Sequence, residues 1–516
     1  MPDRTGPTGA RHHLIRWTGL AGAVGLAVAA LLGGALPDPP AAGWAVFTSG
    51  RGALSVLAWL AGTSALVWAW WSARHGVPSV RWALTTVGLW TLPLLLAPPL
   101  ASRDIYSYAC QGWIHDAGGD PYGGVAGQGC PWVDAVAPLW RDSPAPYGPL
   151  FVWLAGLAVA VAVAVGAGLT GTVLTLRLLA VAGLVLIALT LPGLARRCGL
   201  PAGRAVWLTL GCPVVLVHLV SGGHNDALMV GLLVAGLSVL ATRPSTAGRL
   251  LVVWLVGGFL LGLAVAVKAT ALVVLPFAVV LAIGGPRRLV DLLRVGVPVL
   301  LGAAVAVAAT SALTGLGLGW VAGLTRSGDS RQWTSPPTAV GLLIEYLGRA
   351  VGIPLAAVGP ARIVALVLLA GFLVLLWWWV WRGGGPLAGW RCHDGRAAAL
   401  PESAGVALVN DRATVVFGAG IALVATLLAA PVFYPWYLIW PLVLLAAAAY
   451  RTRWFLLPAA VCCFLVLPDG SGLAAMTKAP GTFAMGGLIA VLLVRAARHL
   501  PAVLHSFADN PDKSSR

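Results

Sequence analysis

Repeated apolar runs, each broken by Arg, Pro or Gly, restrict this chain more than any other feature of its sequence. The runs are about 17–22 residues long, which is the length that an α-helix needs to cross the hydrocarbon core of a bilayer. Only 10% of the 516 residues are charged, whereas about a quarter of the residues in a soluble domain are charged. The pattern predicts an all-α, polytopic helical membrane protein with about 13–15 membrane helices.

The predicted spans lie at 15–36, 53–73, 83–100, 173–194, 204–220, 226–241, 250–266, 270–284, 294–314, 362–381, 413–430, 435–449, 454–468 and 481–496. The apolar run 149–168 is left out, because a crossing there would place Arg196, Arg197 and Arg287 outside the cell. With 149–168 as a re-entrant or outer-leaflet helix and a cytoplasmic N-terminus, these arginines become cytoplasmic, as the positive-inside rule requires. The run 17–36 is too long for a signal-peptide core, so we expect it to remain as an anchor.

This topology divides the chain into a cytoplasmic tail (1–16), a membrane domain (17–498) and a disordered cytoplasmic tail (499–516). Within the membrane domain it predicts exoplasmic loops at 101–148 and 315–360 and a cytoplasmic loop at 382–412. The net charge of +16 comes from arginines clustered in short loops, so it indicates topology and not nucleic-acid binding. Cys110 and Cys130 share the first outer loop, where the sequence is compatible with a disulfide and equally with two thiols.

Asp104 stands where the third span emerges into the loop 101–148, within Ser102-Arg103-Asp104-Ile105-Tyr106-Ser107-Tyr108. Ionisable groups at the border between lipid and water are costly to keep and point to function, here a general base. The alternative is a helix-end carboxylate that pairs with Arg103 or caps a following helix.

Two further polar groups interrupt apolar segments on the same predicted side. His224-Asn225-Asp226 follows two glycines between two spans, where Asn225 or Asp226 could equally cap the next helix. Lys268 interrupts an apolar pair of spans; its ammonium suits a lipid phosphate, and a snorkelling lysine is the alternative.

The remaining candidates lie in outer loops. Arg326 and Arg331 precede Ser335-Pro336-Pro337-Thr338, where solvated loop charge is the alternative to substrate binding. Tyr434 and Trp436 suit an interfacial aromatic belt as well as stacking against sugar rings. The sequence contains no DxD motif, no metal-ligand spacing and no GxxxxGK[ST] loop, which disfavours a nucleotide-sugar donor. A transporter or flippase would also explain intramembrane charges, but the polar residues gather at one face and no paired halves are visible.

The order of these motifs resembles the polyprenol-phosphate-mannose-dependent α-(1→6)-mannosyltransferases of actinobacteria, in the GT-C superfamily of membrane glycosyltransferases. The motifs that carry the resemblance run from about Trp17 to Arg498 and are Arg103-Asp104-Ile105-Tyr106, Asp120-Pro121-Tyr122, Ala145-Pro146-Tyr147-Gly148-Pro149, Gly222-Gly223-His224-Asn225-Asp226, Lys268 and Ser335-Pro336-Pro337-Thr338. An arabinofuranosyl- or glucosyltransferase with a polyprenyl-phosphate donor is the nearest alternative.

The resemblance implies mannose transfer from polyprenyl-phosphate-mannose to a mannan glycolipid of the cell envelope, of the lipomannan type, at the exoplasmic face of the plasma membrane. It makes Asp104 the base. We predict that the substrates are bound by Arg103, Tyr106, Asp120, Tyr122, Tyr147, His224, Asn225, Asp226, Lys268, Arg326, Arg331, Tyr434 and Trp436. We expect no cofactor; many members of the superfamily carry two neighbouring acids in this loop, and the replacement of one by Arg103 puts a divalent metal in doubt.

Overall fold

A computed structural model describes residues 7–39, 41–326, 330–383, 411–449 and 452–508 of the chain. In these ranges the fold consists of helices, with one isolated β-bridge between Val466 and Gly472. The α-helices are α1 (Pro7–Gly33), α2 (Gly50–Ser72), α3 (Val80–Leu96), α4 (Asp104–Asp116), α5 (Pro138–Arg141), α6 (Pro149–Ala164), α7 (Gly168–Arg197), α8 (Ala202–Leu210), α9 (Asp226–Leu240), α10 (Ala247–Val267), α11 (Leu275–Ile283), α12 (Leu289–Thr314), α13 (Trp320–Arg326), α14 (Pro336–Ala350), α15 (Val358–Trp381), α16 (Asp411–Ala429), α17 (Ile439–Ala448), α18 (Arg453–Cys462), α19 (Leu473–Met476) and α20 (Lys478–Ala508).

The predicted all-α, multi-pass membrane architecture is confirmed. Among the described residues, eight helices are long and apolar enough to cross a membrane, and a bent pair formed by α8 and the π-helix Val215–Ser221 would make nine. The other five predicted spans coincide with shorter apolar helices of 10–17 residues. Because a full crossing takes about 20 residues, the number of 13–15 membrane helices stays a prediction.

The predicted re-entrant run corresponds to α6, which has 16 residues and packs alongside α4. The contact is close at Gly112, where a Cβ atom would lie 2.5 Å from the backbone of Ala155. After a short turn, α7 continues for 30 residues, a length of about 45 Å at 1.5 Å per residue. A helix of this length is long enough to cross a bilayer, and the turn at Val165–Ala167 and Arg197 lie at its opposite ends.

A break between two helices brings the His224 segment to the start of α4. The chain bends by 65° between α8 and the π-helix Val215–Ser221, and π-helical turns are frequent at functional sites. Gly223 then adopts φ +66°, and a Cβ atom there would lie 2.6 Å from Ile105. Glycine is therefore required at this position both by the backbone conformation and by the packing against α4.

A disulfide and one arginine hold together the loop 101–148, which is predicted to be exoplasmic. A disulfide joins Cys110 to Cys130, which decides between the alternatives that the sequence left open. The Arg103 guanidinium donates to the carbonyl oxygens of Pro37, Asp134 and Ala135. These bonds take the place of the pairing with Asp104 considered above.

The two remaining predicted segments lie at or beyond the edges of the described residues. Most of the predicted cytoplasmic loop 382–412 falls outside them. The last helix, α20, extends to Ala508, and the disordered tail at 499–516 stays a prediction.

Candidate functional site

Two cavities meet at Asp104. One has a volume of about 190 Å³ and includes Lys268 in its lining; we call it the lysine cavity. The other has a volume of about 260 Å³ and includes Arg103; we call it the arginine cavity. Within the described part of the chain, the residues that line both are Asp104, Trp140 and Tyr434.

Asp104 is the first residue of α4, and its side chain is 16% exposed. Its backbone N–H donates to Ser102 Oγ at 3.2 Å, so its carboxylate does not serve as the helix cap. The positive end of the helix dipole favours a carboxylate at this position. The capping alternative is therefore not supported, and the carboxylate faces the two cavities.

Burial raises the pKa of Asp104 to about 6, although the charge of Lys268 and a hydrogen bond from the Trp140 indole oppose the increase. His224 Nδ1 lies 3.9 Å from Asp104 Oδ2 and 3.2 Å from the Tyr108 hydroxyl. Burial holds the pKa of His224 well below its usual value, so its imidazole is neutral beside the carboxylate. A carboxyl group with this pKa is ionised at neutral pH and close to the proton affinity that general-base catalysis favours.

One face of α4 contributes polar groups that the sequence analysis did not select. Ser107 and Gln111 follow Asp104 at helical spacings of three and seven residues and line the lysine cavity. Their side chains are buried, and Ser107 Oγ and Gln111 Oε1 have no hydrogen-bond partner among the described residues. Buried polar atoms normally have partners, so these two are available for a ligand. The helical spacing from Asp104 was the signal that could have identified them.

Lys268 lies between α10 and a 3₁₀-helix, and its ammonium is tightly surrounded. Nζ is 2.8 Å from Asp226 Oδ1 and lies over the rings of Tyr437, Trp440 and Tyr147, at 4.6, 5.2 and 5.9 Å from their centroids. The side chain is only 12% exposed. A snorkelling lysine would extend to water, and Lys268 instead has a fixed position in the cavity wall.

The segment His224-Asn225-Asp226 is buried directly behind these groups. Asn225 occupies the N-cap position of α9, but its side chain makes no capping hydrogen bond, so capping does not explain it. Asn225 Oδ1 and Nδ2, Asp226 Oδ2 and His224 Nε2 have no partner within the described ranges. The His224 ring stacks on Trp436 at 4.0 Å, and Trp436 stacks on Tyr434 at 4.6 Å.

The structure brings together Asp104, His224, Asp226, Lys268, Tyr147, Tyr434 and Trp436 from the predicted set. It adds Trp140, Tyr437 and Trp440, which line the lysine cavity. No spacing in the sequence connects these three aromatic residues to Asp104, because tertiary packing alone places them there.

Several predicted substrate-binding residues lie away from both cavities and are used for packing. The Tyr106 hydroxyl donates to the Ala35 carbonyl. Asp120 caps the turn at Tyr122, and Tyr122 donates to the carbonyl of Tyr147. Arg331 pairs with Glu345. These four side chains therefore line neither cavity, and their assignment to substrate binding stays a prediction.

Arg326 ends α13, but its side chain lies outside the described part of the structure. Among the described residues, no three His, Cys, Asp or Glu side chains converge as metal ligands.

Comparison with known proteins identifies the chain's relatives. The family described as "Alpha-(1->6)-mannopyranosyltransferase, N-terminal domain" matches residues 16–284, and the "MptB C-terminal domain" matches residues 404–496. Alpha-(1->6)-mannopyranosyltransferase A of Mycobacterium tuberculosis is 31% identical over 445 residues, covering 83% of this chain and 78% of the relative. Alpha-(1->6)-mannopyranosyltransferase B of Corynebacterium glutamicum is 28% identical over 475 residues, covering 85% of this chain and 73% of the relative. No solved structure matches the chain.

These matches cover both halves of the membrane domain, including the outer loop that carries Asp104 and the segment that carries Lys268. They favour mannose over the arabinofuranosyl and glucosyl alternatives and a transferase over a transporter. The chain belongs to the α-(1→6)-mannopyranosyltransferase family and is a multi-pass membrane mannosyltransferase.

Proposed function

We propose that this enzyme transfers mannose from polyprenyl-phosphate-mannose to the 6-hydroxyl of a growing α-(1→6)-mannan, on a lipomannan- or lipoarabinomannan-type glycolipid of the cell envelope. The observation that carries the proposal is that the Asp104 carboxylate and the Lys268 ammonium line one cavity. Transfer from a lipid phosphate needs a base for the attacking hydroxyl and a cation for the leaving phosphate. The lysine cavity supplies both groups.

The reaction is a single displacement. The acceptor O6 attacks the anomeric carbon, a bond between O6 and C1 forms, and the bond between C1 and the phosphate oxygen breaks with inversion from a β-linked donor to an α-linked product. Asp104 accepts the proton of the O6 hydroxyl. The bonding electrons leave with the phosphate oxygen, and Lys268 stabilises the charge that develops on it.

The walls of the lysine cavity fit the two parts of the donor. Leu324, Pro431 and Val432 give part of the lining an apolar character suited to the prenyl chain. The side chains of Ser107 and Gln111 line the same space, and each has a buried polar atom without a partner among the described residues. They would hydrogen-bond to hydroxyl groups of the mannose, which would otherwise lose their partners on leaving water.

Two observations support an exoplasmic site in the plasma membrane. The Cys110–Cys130 disulfide lies in the loop that carries Asp104, and disulfides persist in oxidising compartments outside the cytosol. The arginines at the end of α7 belong on the cytoplasmic side by the positive-inside rule. The other end of α7, near the same loop, then faces outward.

The proposed mechanism uses no cofactor, because Lys268 supplies the charge needed at the phosphate. Transfer is therefore expected to continue in membranes treated with EDTA. A loss of activity that Mg²⁺ or Mn²⁺ restores would show that a metal contributes.

The central experiment supplies membranes with radiolabelled polyprenyl-phosphate-mannose and a short α-(1→6)-mannoside. The wild-type enzyme should extend the mannoside, and Asp104→Asn should reduce turnover by about 10²- to 10⁴-fold, the usual contribution of a general base. Asp116→Asn is the matched control, since Asp116 is exposed at the other end of the same helix. Normal turnover by Asp104→Asn would remove Asp104 as the base. Transfer from GDP-mannose by purified enzyme free of polyprenyl phosphate would exclude the lipid donor.

A further inference from the structure

The backbone of Ala101, three residues before Asp104, has an unusual conformation. Its φ is +62°, and among the residues that the structure describes no other residue except glycine has a positive φ. This left-handed conformation is unfavourable for a residue that carries a Cβ atom. It persists only where the surrounding structure holds it, and such positions cluster at functional sites. The contacts that hold Ala101 therefore bear on how α4 begins.

A turn from the far end of the sequence holds Ala101. The turn comprises residues 466–472, is closed by the bridge between Val466 and Gly472, and is called the Asp469 turn below. The Ala101 N–H donates to the carbonyl oxygen of Pro468 in this turn at 2.9 Å. The hydrogen bond is available only while the Ala101 N–H points at the turn, so it favours the observed conformation.

The same turn packs against the two residues that follow Ala101. At Gly470, where φ is +90°, a Cβ atom would lie 3.4 Å from Ser102 Cα and 3.5 Å from the Arg103 nitrogen. Ser102 Oγ in turn accepts from the Asp104 N–H at 3.2 Å. The Asp469 turn therefore contacts each residue from Ala101 to Arg103, and Ser102 extends this contact to Asp104.

Asp469 gives the turn its shape and its attachment. Its buried carboxylate accepts from the Ser471 N–H at 3.2 Å through Oδ1. Oδ2 accepts from the Ser471 hydroxyl and from the Gly43 N–H, the latter at 3.1 Å. Loss of this carboxylate would leave the buried Ser471 N–H without an acceptor and would weaken the link to Gly43, which follows α1.

We propose that the Asp469 turn positions the base: it holds Ala101 in the left-handed conformation, and this conformation directs Asp104 into the two cavities. Asp469 and Ala101 act through Asp104 and are positioning residues. This role of the turn rests on the proposed function, in which Asp104 is the base. It also gives the two matched parts of the chain a shared task, because Asp104 lies within 16–284 and Asp469 within 404–496.

Kinetics test the role through kcat. Asp469→Ala should lower kcat by roughly tenfold to a hundredfold, since a misplacement of about 1 Å can cost about a hundredfold. The Michaelis constant for polyprenyl-phosphate-mannose should stay unchanged, because Lys268 is not attached to this turn. Asp116→Ala, at an exposed position on α4, is the control and should match the wild type.

A second substitution tests the backbone conformation itself. Ala101→Gly, added to Asp469→Ala, should restore kcat at least threefold, because glycine adopts a positive φ without a steric cost. Ala101→Val alone should lower kcat in the same way as Asp469→Ala, because a β-branched residue disfavours this conformation. A simple loss of stability would not be repaired by glycine, which adds flexibility to the chain.

Hydrogen exchange separates the role of the turn from the proposed function, because it needs no substrate. In the purified full-length protein, Asp469→Ala should speed exchange of the Ala101, Asp104 and Tyr106 amides at least tenfold and leave the second half of α4 unchanged. Each of these three amides donates a hydrogen bond in the wild type. This exchange pattern together with normal turnover by Asp104→Asn would contradict the proposed base while supporting the hold of the turn on α4.

Three results would overturn the positioning role. They are unchanged exchange at 101–106 in Asp469→Ala, faster exchange throughout the chain, and a loss of kcat that Ala101→Gly does not reduce. If Asp469→Ala yields no folded protein, Ser471→Ala removes only one hydroxyl from the turn. It should change kcat and exchange in the same directions by a smaller factor, and wild-type values for both would also overturn the role.

Discussion

Lys268 Nζ lies 2.8 Å from Asp226 Oδ1, and the Trp440 indole donates to the same carboxylate oxygen at 2.5 Å. The lysine that interrupts two apolar spans is therefore one half of an ion pair, and its partner comes from the start of α9. A carboxylate is needed here because an unpaired ammonium at membrane depth is costly. The pair fixes the position of the ammonium in the cavity wall and keeps its charge.

We expect Lys268→Met to raise the Michaelis constant for polyprenyl-phosphate-mannose by roughly tenfold to a hundredfold, since a hydrogen bond to a charged group contributes about 1.5–3 kcal/mol. The Michaelis constant for the acceptor should stay unchanged. Steady-state kinetics with each substrate varied in turn measures both. Lys478→Met, at an exposed lysine near the start of α20, is the control and should match the wild type.

Asp226→Asn should also raise the Michaelis constant for polyprenyl-phosphate-mannose, because it leaves the Lys268 ammonium without its partner. The effects of Asp226→Asn and Lys268→Met should not add in the double variant, as expected for residues in contact. Asp226→Glu should restore part of the activity. Additive effects on donor binding would mean that Asp226 acts independently of Lys268.

The pH dependence of transfer should follow the ionisation of Asp104. The base works only as a carboxylate, and its pKa is raised to about 6, so kcat/KM should rise with pH through that value and level off above it. Lys268 lowers the pKa of Asp104, whereas Asp226 raises it. The acid limb of the profile should therefore move to higher pH in Lys268→Met and to lower pH in Asp226→Asn. A limb that stays in place in both variants would assign the titration to another group.

The turn after α6 should be accessible from outside the cell. Val165 is 71% exposed, and Val165→Cys in a Cys392→Ser background should react with a membrane-impermeant maleimide in intact cells. The described native cysteines are buried or disulfide-bonded, so they should contribute little labelling. The wild-type protein, which keeps Cys392 in the predicted cytoplasmic loop, is the opposite control. Its Cys392 should react with the maleimide only after the membrane is opened. Labelling of Val165→Cys only in opened cells would make α6 a crossing helix and reverse the topology that follows it.

The Cys110–Cys130 disulfide should stabilise the loop that carries Asp104. It closes a loop with a sequence separation of 20, for which a contribution of roughly 2–4 kcal/mol is typical. The double variant Cys110→Ala/Cys130→Ala should lower the apparent melting temperature by a few degrees. Reductant should lower the melting temperature of the wild type to the same value and leave that of the variant unchanged. If reductant lowered the melting temperature of both proteins equally, the destabilisation would not come from the Cys110–Cys130 disulfide.

The membrane class and the two ionisable residues at the centre of the proposed mechanism could be predicted from the order of the amino acids. The length and composition of the apolar runs leave no soluble alternative, because the backbone can satisfy its hydrogen bonds in lipid only within helices or closed barrels. Asp104 and Lys268 could be identified because charges are so rare in such segments that each one is informative. Helical spacing could also have found Ser107 and Gln111.

The partners of these residues depend on how distant segments of the chain pack together. Asp226 meets Lys268 across 42 positions of sequence and Trp440 across 214, and no local pattern encodes contacts over such distances. The same holds for Tyr106 and Arg331, whose residue types suit a substrate but whose hydrogen bonds are used within the fold. The division of the site into two cavities depends on how α4, the turn at Gly223 and the Tyr434 segment pack together. Side-chain chemistry can be read along the chain, whereas the pairing of side chains is set by packing between helices that are distant in sequence.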